Sequence, residues 1–449
     1  MSRLIVRPSP GPLRGAVELP SDKSVSHRAL IFASLSSGSC TISGFSYGED
    51  NVATLRAFGQ MGVQSQDDLK GTLQVRGVGL DGLREPTGPI DCGNSGTAMR
   101  LMAGLLAGQQ FASRLIGDAS LTGRPMGRVL DPLRARGARM RGTPHPSRPN
   151  VFTAPLDIGP LEPGHGLGAF EYQMPMASAQ VKSALLLSGL YATGPTVVVE
   201  PKASRDHTER MLRALGVPVQ SEGLRVQLDP PSDRRCLSGF DVTLPGDLSA
   251  AAFALVAAQV VPGSEVRALR TGLNPTRTGI IDIIRAFGGT IETSGDADTL
   301  GEPWGTILSV AGKLRGTEVG GALAVRAIDE IPIAAVLAAR ADGVTTFSDV
   351  GELRVKESDR IALTVDLLRR FGVDAEEQQD GFRVQGRPQG KLTAARADSG
   401  GDHRIAMCAA VLGLMADGET VVEDVDCIST SFPGFASTLS RLGAEVTVQ

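Results

Sequence analysis

A short phrase recurs six times along the chain and constrains its fold more than any other feature. It reads as a helix-like stretch, a bulky residue, a glycine and then a strand-like stretch. The copies are RAFGQMGVQ, LRARGARM, LRALGVPV, IRAFGGTI, LRRFGVDA and SRLGAEV, with marker glycines Gly62, Gly137, Gly216, Gly288, Gly372 and Gly443. Successive markers lie 71 to 84 residues apart, so the repeat fills all 449 residues. Glycine just past a helix is the usual left-handed C-cap, and each phrase therefore predicts a helix end followed by a strand. A single such phrase is commonplace. Six in step are the mark of a repeat architecture.

A second phrase keeps time with the first. A polar start leads into small and apolar residues, then a turn, then a strand. The six starts are SDKSVSHRALIFASL, GNSGTAMRLMAGLL, ASAQVKSALLLSGL, GDLSAAAFALVAA, IDEIPIAAVLAA and GDHRIAMCAAVLGL. Strands follow in CTISGF, TVVVE, EVRAL and TTFSDV. Each unit thus reads βαβαββ. A unit of about 75 residues is marginal alone, so several must share a core. The expectation is an α/β (α+β) protein of two domains, each of three βαβαββ units. The sixth unit is one strand short, and the unassigned strand-like segment 3–7 completes it. This gives a discontinuous domain of 1–22 plus 245–449, holding units four to six and both termini. Residues 23–244 form a continuous domain of units one to three. The crossings near 20–22 and 245–247 pair Pro with a short polar segment, which suits hinges and two globules that close on a ligand.

Hydrophobic residues make up 41 % and charged residues 21 %, so disorder is excluded and a sizeable core is expected. The net charge of −4 disfavours a general nucleic-acid binder. Only seven of the 45 basic residues are Lys. Arg holds its charge when partly buried and grips phosphate or carboxylate with two donors. The five cysteines are widely spaced and form no CxxC, which argues against a disulfide framework or zinc site and for a reducing compartment. The N-terminus lacks the apolar core of a signal peptide, and the apolar run 250–261 is too short to span a membrane. A cytoplasmic protein is expected.

Polar residues that open a helix present backbone N–H groups and the positive dipole end to an anion. Three of the six starts carry unusual chemistry: Lys23, Ser24 and Arg28; Ser178, Gln180 and Lys182; Asp329 and Glu330. LTGRPMGR adds Arg124 and Arg128, LRVKESDR adds Lys356, Glu357 and Arg360, and DHRIAM adds His403 and Arg404. Taken singly, Lys23 or Arg28 also reads as a solvated first-turn charge, and LRVKESDR as a helix start with its own ion pairs. Asp329 and Glu330 equally suit an N-cap with a first-turn acid. His27 and His403 equally suit structural roles. CGNSGTA around Asn94 and Gly96 also reads as a turn. It is no P-loop, and no GxGxxG follows a strand.

Together these stretches are similar to the 5-enolpyruvylshikimate-3-phosphate synthase family. The matches are LPSDKSVSHRALIFASL, CGNSGTAMRL, GDASLTGRPMGRVLDPL, MPMASAQVKSA, SRDHTERML, NPTRTG, IDEIPI, ELRVKESDR, GDHRIAM and STSFPGF, in family order over residues 20 to 435. The resemblance implies the enolpyruvyl transferase fold, an inside-out barrel-like arrangement of two domains, with the active site in the interdomain cleft. It implies transfer of the enolpyruvyl group of phosphoenolpyruvate to the 5-hydroxyl of shikimate 3-phosphate, with release of phosphate, in the shikimate pathway to chorismate and the aromatic amino acids. No metal or organic cofactor is implied. No nucleic-acid or membrane partner is implied either, and the enzyme would be a monomer.

Carried over by motif, Lys23, Ser24, Arg28, Ser178, Ala179, Gln180, Arg205, Asp329 and Lys356 would bind shikimate 3-phosphate. Lys23, Asn94, Gly96, Arg124, Gln180, Arg360 and Arg404 would bind phosphoenolpyruvate. The resemblance makes Asp329 the base for the hydroxyl and Glu357 the acid for C3. Lys356 would orient the hydroxyl, and Lys23 would protonate the leaving phosphate. Glyphosate would occupy the phosphoenolpyruvate site as a longer molecule. Some divergent members have Ala at the position of Gly96 and tolerate it, so Gly96 implies sensitivity. Many members have Lys where this chain has Thr430, so the chain resembles the divergent class, and no contact is assigned to Thr430.

Two rival functions come from this reading. The sister enzyme that transfers enolpyruvyl to UDP-N-acetylglucosamine shares the fold, but typically has Cys in the loop matching 117–125. Here no Cys lies between Cys92 and Cys236. A non-catalytic anion-binding protein on the same repeat would gain nothing from Asp329 and Glu357.

Overall fold

The computed structural model describes residues 2–68, 71–162 and 164–449. The described strands form six four-stranded sheets of one plan. In four of them the strand before a buried helix runs parallel to the strand after it, and in the other two an exchanged leading strand takes that parallel place. The strand after the helix pairs antiparallel with the last strand of the unit. The third strand lies on the outer side of the last. This is the βαβαββ unit, repeated six times, as the two phrases predict.

All six marker glycines adopt positive φ, from 73° at Gly372 to 104° at Gly137 and Gly443. Each follows the end of the unit's second helix, as at Glu49–Gln60 before Gly62 and Arg360–Arg370 before Gly372. A residue with a Cβ is strained in that region, whereas glycine is not.

Two compact units divide the chain. The terminal unit takes the residues up to Pro20 together with Pro245–Ala297 and Pro303–Gln449. The middle unit takes Ser21–Leu244 and Asp298–Glu302. In the terminal unit, Arg3–Val6 pairs antiparallel with both Thr420–Glu423 and Val446–Val448, supplying the strand that the sixth repeat lacks.

Two details differ from the sequence expectation. The first is an exchange of leading strands. Arg14–Glu18, which precedes the first helix in sequence, pairs instead with Glu265–Gly272 of the fourth repeat. Asp241–Thr243, which precedes the fourth helix, pairs with Ser39–Ser43 of the first. Each crossing therefore falls between a strand and the helix that would otherwise complete its unit. The second detail is that Asp298–Glu302, the turn of the Thr290–Thr299/Glu302–Val310 hairpin, belongs to the middle unit. There Glu302 Oε1 meets His207 Nδ1 at 2.9 Å, and Arg210 Nη1 donates to Gly301 O at 3.2 Å.

Each unit is built on three helices that are hydrophobic on nearly all sides, a pattern that requires burial rather than an amphipathic surface position. In the terminal unit these are Leu248–Val260, Ile331–Arg340 and His403–Gly413, in which only Arg340 escapes burial. In the middle unit they are Lys23–Leu35, Gly96–Leu106 and Ala179–Gly189. Their residues that are not buried are Lys23, Thr97, Arg100, Ala179 and Gln180, all near the helix starts. The apolar bodies of these helices make the core and leave their first turns for chemistry. Among the described residues no helix is long and apolar enough to cross a membrane.

Candidate active site

In the middle unit, Asp22 caps the Lys23–Leu35 helix by accepting from Val25 N at 2.9 Å. The capped turn presents Lys23, whose Nζ lies 3.0 Å from Asp50 Oδ2. One turn on, Arg28 is only 1 % exposed. It donates from Nε to Thr208 Oγ1 at 2.7 Å, from Nη2 to Ser183 Oγ at 2.7 Å and to Gln180 Oε1 at 3.5 Å, and from Nη1 to the carbonyl of Ser24 at 3.0 Å. Burial pulls its pKa down to about 10, with Glu209 and Glu302 opposing that effect. The guanidinium therefore stays charged at neutral pH. Arg205 is the like charge that disfavours it.

Gln180 also donates to Thr97 Oγ1 at 3.0 Å, which ties two of the helix starts together. Ser178 occupies the N-cap of the Ala179–Gly189 helix but makes no side-chain capping bond. The first N–H groups of this 11-residue helix are thus left without a side-chain cap from Ser178, on the helix whose Gln180 meets Arg28. Arg124, 7 % exposed, donates to Asn94 Oδ1 at 2.6 Å and Ser120 Oγ at 3.3 Å, and Asn94 donates to Asp118 Oδ2 at 2.6 Å. A Cβ placed on Gly96 would lie 3.2 Å from Arg124 Nη1 and 2.7 Å from Arg100 Nη1. The bare glycine is what gives Arg124 its room.

In the terminal unit the charges gather around Arg360, the first residue of the Arg360–Arg370 helix. Its Nε donates to Asp402 Oδ2 at 2.8 Å, its Nη2 lies 2.7 Å from Glu357 Oε2, and its Nη1 lies 3.5 Å from Asp329 Oδ1. Burial disfavours the charged guanidinium, yet Asp402, Glu357 and Asp329 raise its pKa above the usual value. Asp402, fully buried, is disfavoured as an anion by burial too, but Arg360 and His403 hold its pKa below the ordinary carboxylate value. Lys356 Nζ lies 3.7 Å from Asp329 Oδ1 and 3.4 Å from Glu352. Arg404 Nη1 donates to the backbone carbonyl of Asp329 at 2.7 Å and lies 3.7 Å from Glu330. Of the two expected proton-transfer carboxylates, Asp329 thus meets Lys356 and Arg360, with Arg404 on its backbone carbonyl, and Glu357 meets Arg360.

Within the middle unit the structure brings together Ser24, Arg28 and Gln180, and separately Asn94, Gly96 and Arg124. Within the terminal unit it brings together Asp329, Lys356, Glu357, Arg360 and Arg404. Sequence reasoning did not single out Asp402, which joins Arg360 to the start of the helix bearing Arg404. The signal was present: Asp402 stands in GDHR at the capping position that Asp22 and Asp247 occupy in other repeats. Glu200 and Glu209, the buried partners of Lys182, were also missed.

In each unit Arg and Lys gather at or near helix starts, with carboxylates among them, a chemistry suited to polyanionic small molecules. The profile of EPSP synthase (3-phosphoshikimate 1-carboxyvinyltransferase) matches residues 8–439. A curated 3-phosphoshikimate 1-carboxyvinyltransferase of Geobacter sp. strain M21 is 49 % identical over 439 residues, covering 98 % of this chain and 99 % of its own. Another from Geotalea uraniireducens is 49 % identical over 432 residues, covering 96 % and 97 %. The solved EPSP synthase of Acinetobacter baumannii superposes with a TM-score of 0.88 at 38 % identity, covering 100 % of both chains. The chain belongs to the EPSP synthase family and has its two-domain enolpyruvyl transferase fold. It transfers the enolpyruvyl group of phosphoenolpyruvate to shikimate 3-phosphate, in the shikimate pathway of aromatic biosynthesis. The rival readings, a UDP-N-acetylglucosamine enolpyruvyl transferase and a non-catalytic anion binder, are set aside by these matches.

Proposed function

We propose that the charged clusters of the two units act on one substrate pair, each with a defined share of the work. Ser24, Ser178, the backbone of Ala179 and Arg205 take the phosphate of shikimate 3-phosphate, and Arg28 takes its carboxylate. Gln180 lies between the two substrates. Lys23, Arg124, Arg360 and Arg404 bind phosphoenolpyruvate, with Asn94 and Gly96 lining its pocket. The observation that carries this reading is the hub at Arg360, where a buried cation is shared among Asp402, Glu357 and Asp329.

The hub suggests how proton transfer is arranged. Asp329 removes the proton of the 5-hydroxyl, which Lys356 orients, as the oxygen attacks C2 of phosphoenolpyruvate. Glu357 donates a proton to C3, giving the tetrahedral intermediate. In the second half C3 returns a proton to Glu357 while the C2–O bond to phosphate breaks and Lys23 protonates the leaving group. The arriving carboxylate of phosphoenolpyruvate competes with Glu357 for Arg360. A carboxyl group that loses its cation and gains an anionic neighbour holds its proton more tightly, as a general acid must. Glyphosate competes for the phosphoenolpyruvate site. The enzyme acts as a cytoplasmic monomer.

The test is a pair of substitutions. Asp329→Asn is expected to abolish most turnover while leaving shikimate 3-phosphate binding nearly intact, since it removes proton transfer and not anion capture. Near-normal turnover in that variant would remove Asp329 from the mechanism.

A further inference from the structure

Lys182 is 2 % exposed and lies on the helix that begins with the proposed phosphate-binding turn, but it has no part in the reaction above. Its Nζ is 2.7 Å from Glu200 Oε2 and 2.7 Å from Glu209 Oε1, with the carbonyl of Ser204 at 3.4 Å. Both carboxylates are as buried as the lysine. Burial opposes the ammonium, but the two glutamates raise its pKa above the ordinary lysine value. Ion pairs this deep seldom add net stability over an apolar core, so their worth lies in what they hold in place.

Three segments meet at this ammonium. Glu200 closes the Thr196–Val199 strand and opens the 200–206 loop. The same carboxylate takes the hydroxyl of Ser204, and the N–H of Ser204 at 3.4 Å, from across that loop. The next residue is Arg205. Glu209 lies on the His207–Ala214 helix, one residue after Thr208, the acceptor of Arg28 Nε. Ser183, beside Lys182, takes a bond from Thr208 at 2.8 Å and one from Arg28 at 2.7 Å. The charges balance: Lys182 and Arg28 against Glu200 and Glu209. Glu209 is the largest of the charges that keep Arg28 protonated against burial.

We propose that Lys182 is a positioning residue. With Glu200 and Glu209 it locks the 200–206 loop, and so the Arg205 guanidinium, against the N-terminal turn of the Ala179–Gly189 helix. The phosphate site is thereby set before substrate arrives, and the ordering cost is met in folding rather than in binding. The proposal rests on the assignment of Arg205 and the Ser178 turn to shikimate 3-phosphate.

The test is a coupling measurement by calorimetry with shikimate 3-phosphate, with folding verified by circular dichroism. Glu200→Gln removes one charge of the lock at constant volume. It is expected to weaken shikimate 3-phosphate about tenfold or more, because misplacing a binding group by a fraction of an ångström is costly. The KM for phosphoenolpyruvate at saturating shikimate 3-phosphate is expected to stay within about twofold of wild type, because the lock touches none of that pocket's residues. In an Arg205→Ala background the same Glu200→Gln change is expected to cost nothing further, because the loop has then lost the group that the lock aims. If Glu200→Gln does not fold, Ser204→Ala carries the same expectation, since it removes only the tie across the loop. An unchanged Kd overturns the proposal. Equal losses with and without Arg205, or equal losses for both substrates, also overturn it, because they describe a general softening of the fold. If the wild-type protein fails to bind shikimate 3-phosphate, the assignment of the site falls, and this proposal with it. Wild-type binding with an unaffected Glu200→Gln variant removes the lock alone.

Discussion

Replacing Gly96 by Ala separates the two ligands proposed for the Arg124 pocket. The new Cβ would stand 2.7 Å from Arg100 Nη1 and 3.2 Å from Arg124 Nη1. Both atoms are ends of flexible side chains, so the fold can yield. Arg100 gives up its 3.1 Å bond to the carbonyl of residue 96 and turns toward solvent. Arg124 has less freedom, being 7 % exposed and held by Asn94 at 2.6 Å. Its head must shift by a few tenths of an ångström. Overpacking costs about 1 kcal/mol at the mild end of its range. Gly96 is the first residue of its helix, where Ala recovers less than the roughly 1 kcal/mol of propensity it would in a helix interior, so the fold loses about 1 kcal/mol or less. The burden falls on the ligand. Weakening one charge-assisted bond from Arg124 by roughly 1 kcal/mol raises the KM for phosphoenolpyruvate about fivefold. Glyphosate, the longer molecule, needs the space that the methyl group takes, and its inhibition constant is expected to rise by at least about tenfold more. Steady-state inhibition of both forms, with phosphoenolpyruvate varied against glyphosate, measures the two effects. Equal inhibition constants would refute the steric argument. So would a shikimate 3-phosphate Kd that shifts as far as the KM for phosphoenolpyruvate.

Three other outcomes follow from the site and the core. Asp329→Asn is expected to lower kcat by about 10²- to 10⁴-fold, the range of a lost acid–base group, with the shikimate 3-phosphate Kd changed only a few-fold by calorimetry. Arg205→Ala is expected to weaken shikimate 3-phosphate by roughly ten- to a hundredfold, the loss of a charge-assisted bond, with the KM for phosphoenolpyruvate near wild type. His27 is fully buried with Nδ1 2.8 Å from Thr54 Oγ1, and burial pulls its pKa down to about 3. Between pH 6.5 and about 3 the unfolded chain binds a proton there that the folded chain does not. Its contribution therefore lowers stability by roughly 1.4 kcal/mol for each pH unit of acidification in that window. Urea melts from pH 7 to 4 should show a shallower acid loss in His27→Gln, and parallel slopes would contradict this.

The architecture was legible because its signals are local and repeated. Each marker glycine answers to a backbone conformation that only its own position requires, and all six have positive φ. The missing sixth strand was legible because segment 3–7 is strand-like, belongs to no other unit, and the sixth unit ends one strand short. The exchange of Arg14–Glu18 with Asp241–Thr243 was not, because both strands precede a helix of the right kind and the pairing choice is non-local. The site shows the same division. Lys23 and Arg360 stand at the first positions of their helices, where a cation beside free N–H groups is a legible sign of a candidate anion site. The acids that organise them do not announce themselves. Asp402 looks like an N-cap, which it also is, since it accepts from Arg404 N at 2.9 Å. Glu200 and Glu209 are separated from Lys182 by a strand and a loop, and only folding brings each carboxylate to 2.7 Å from the ammonium.

Phosphate release tests the central claim most directly. Purified protein is supplied with phosphoenolpyruvate and either shikimate 3-phosphate or UDP-N-acetylglucosamine, and inorganic phosphate is followed continuously. The account predicts multiple turnovers with shikimate 3-phosphate, none above background with UDP-N-acetylglucosamine, and loss of the first in Asp329→Asn. Release with the nucleotide sugar, or none with shikimate 3-phosphate, would contradict it.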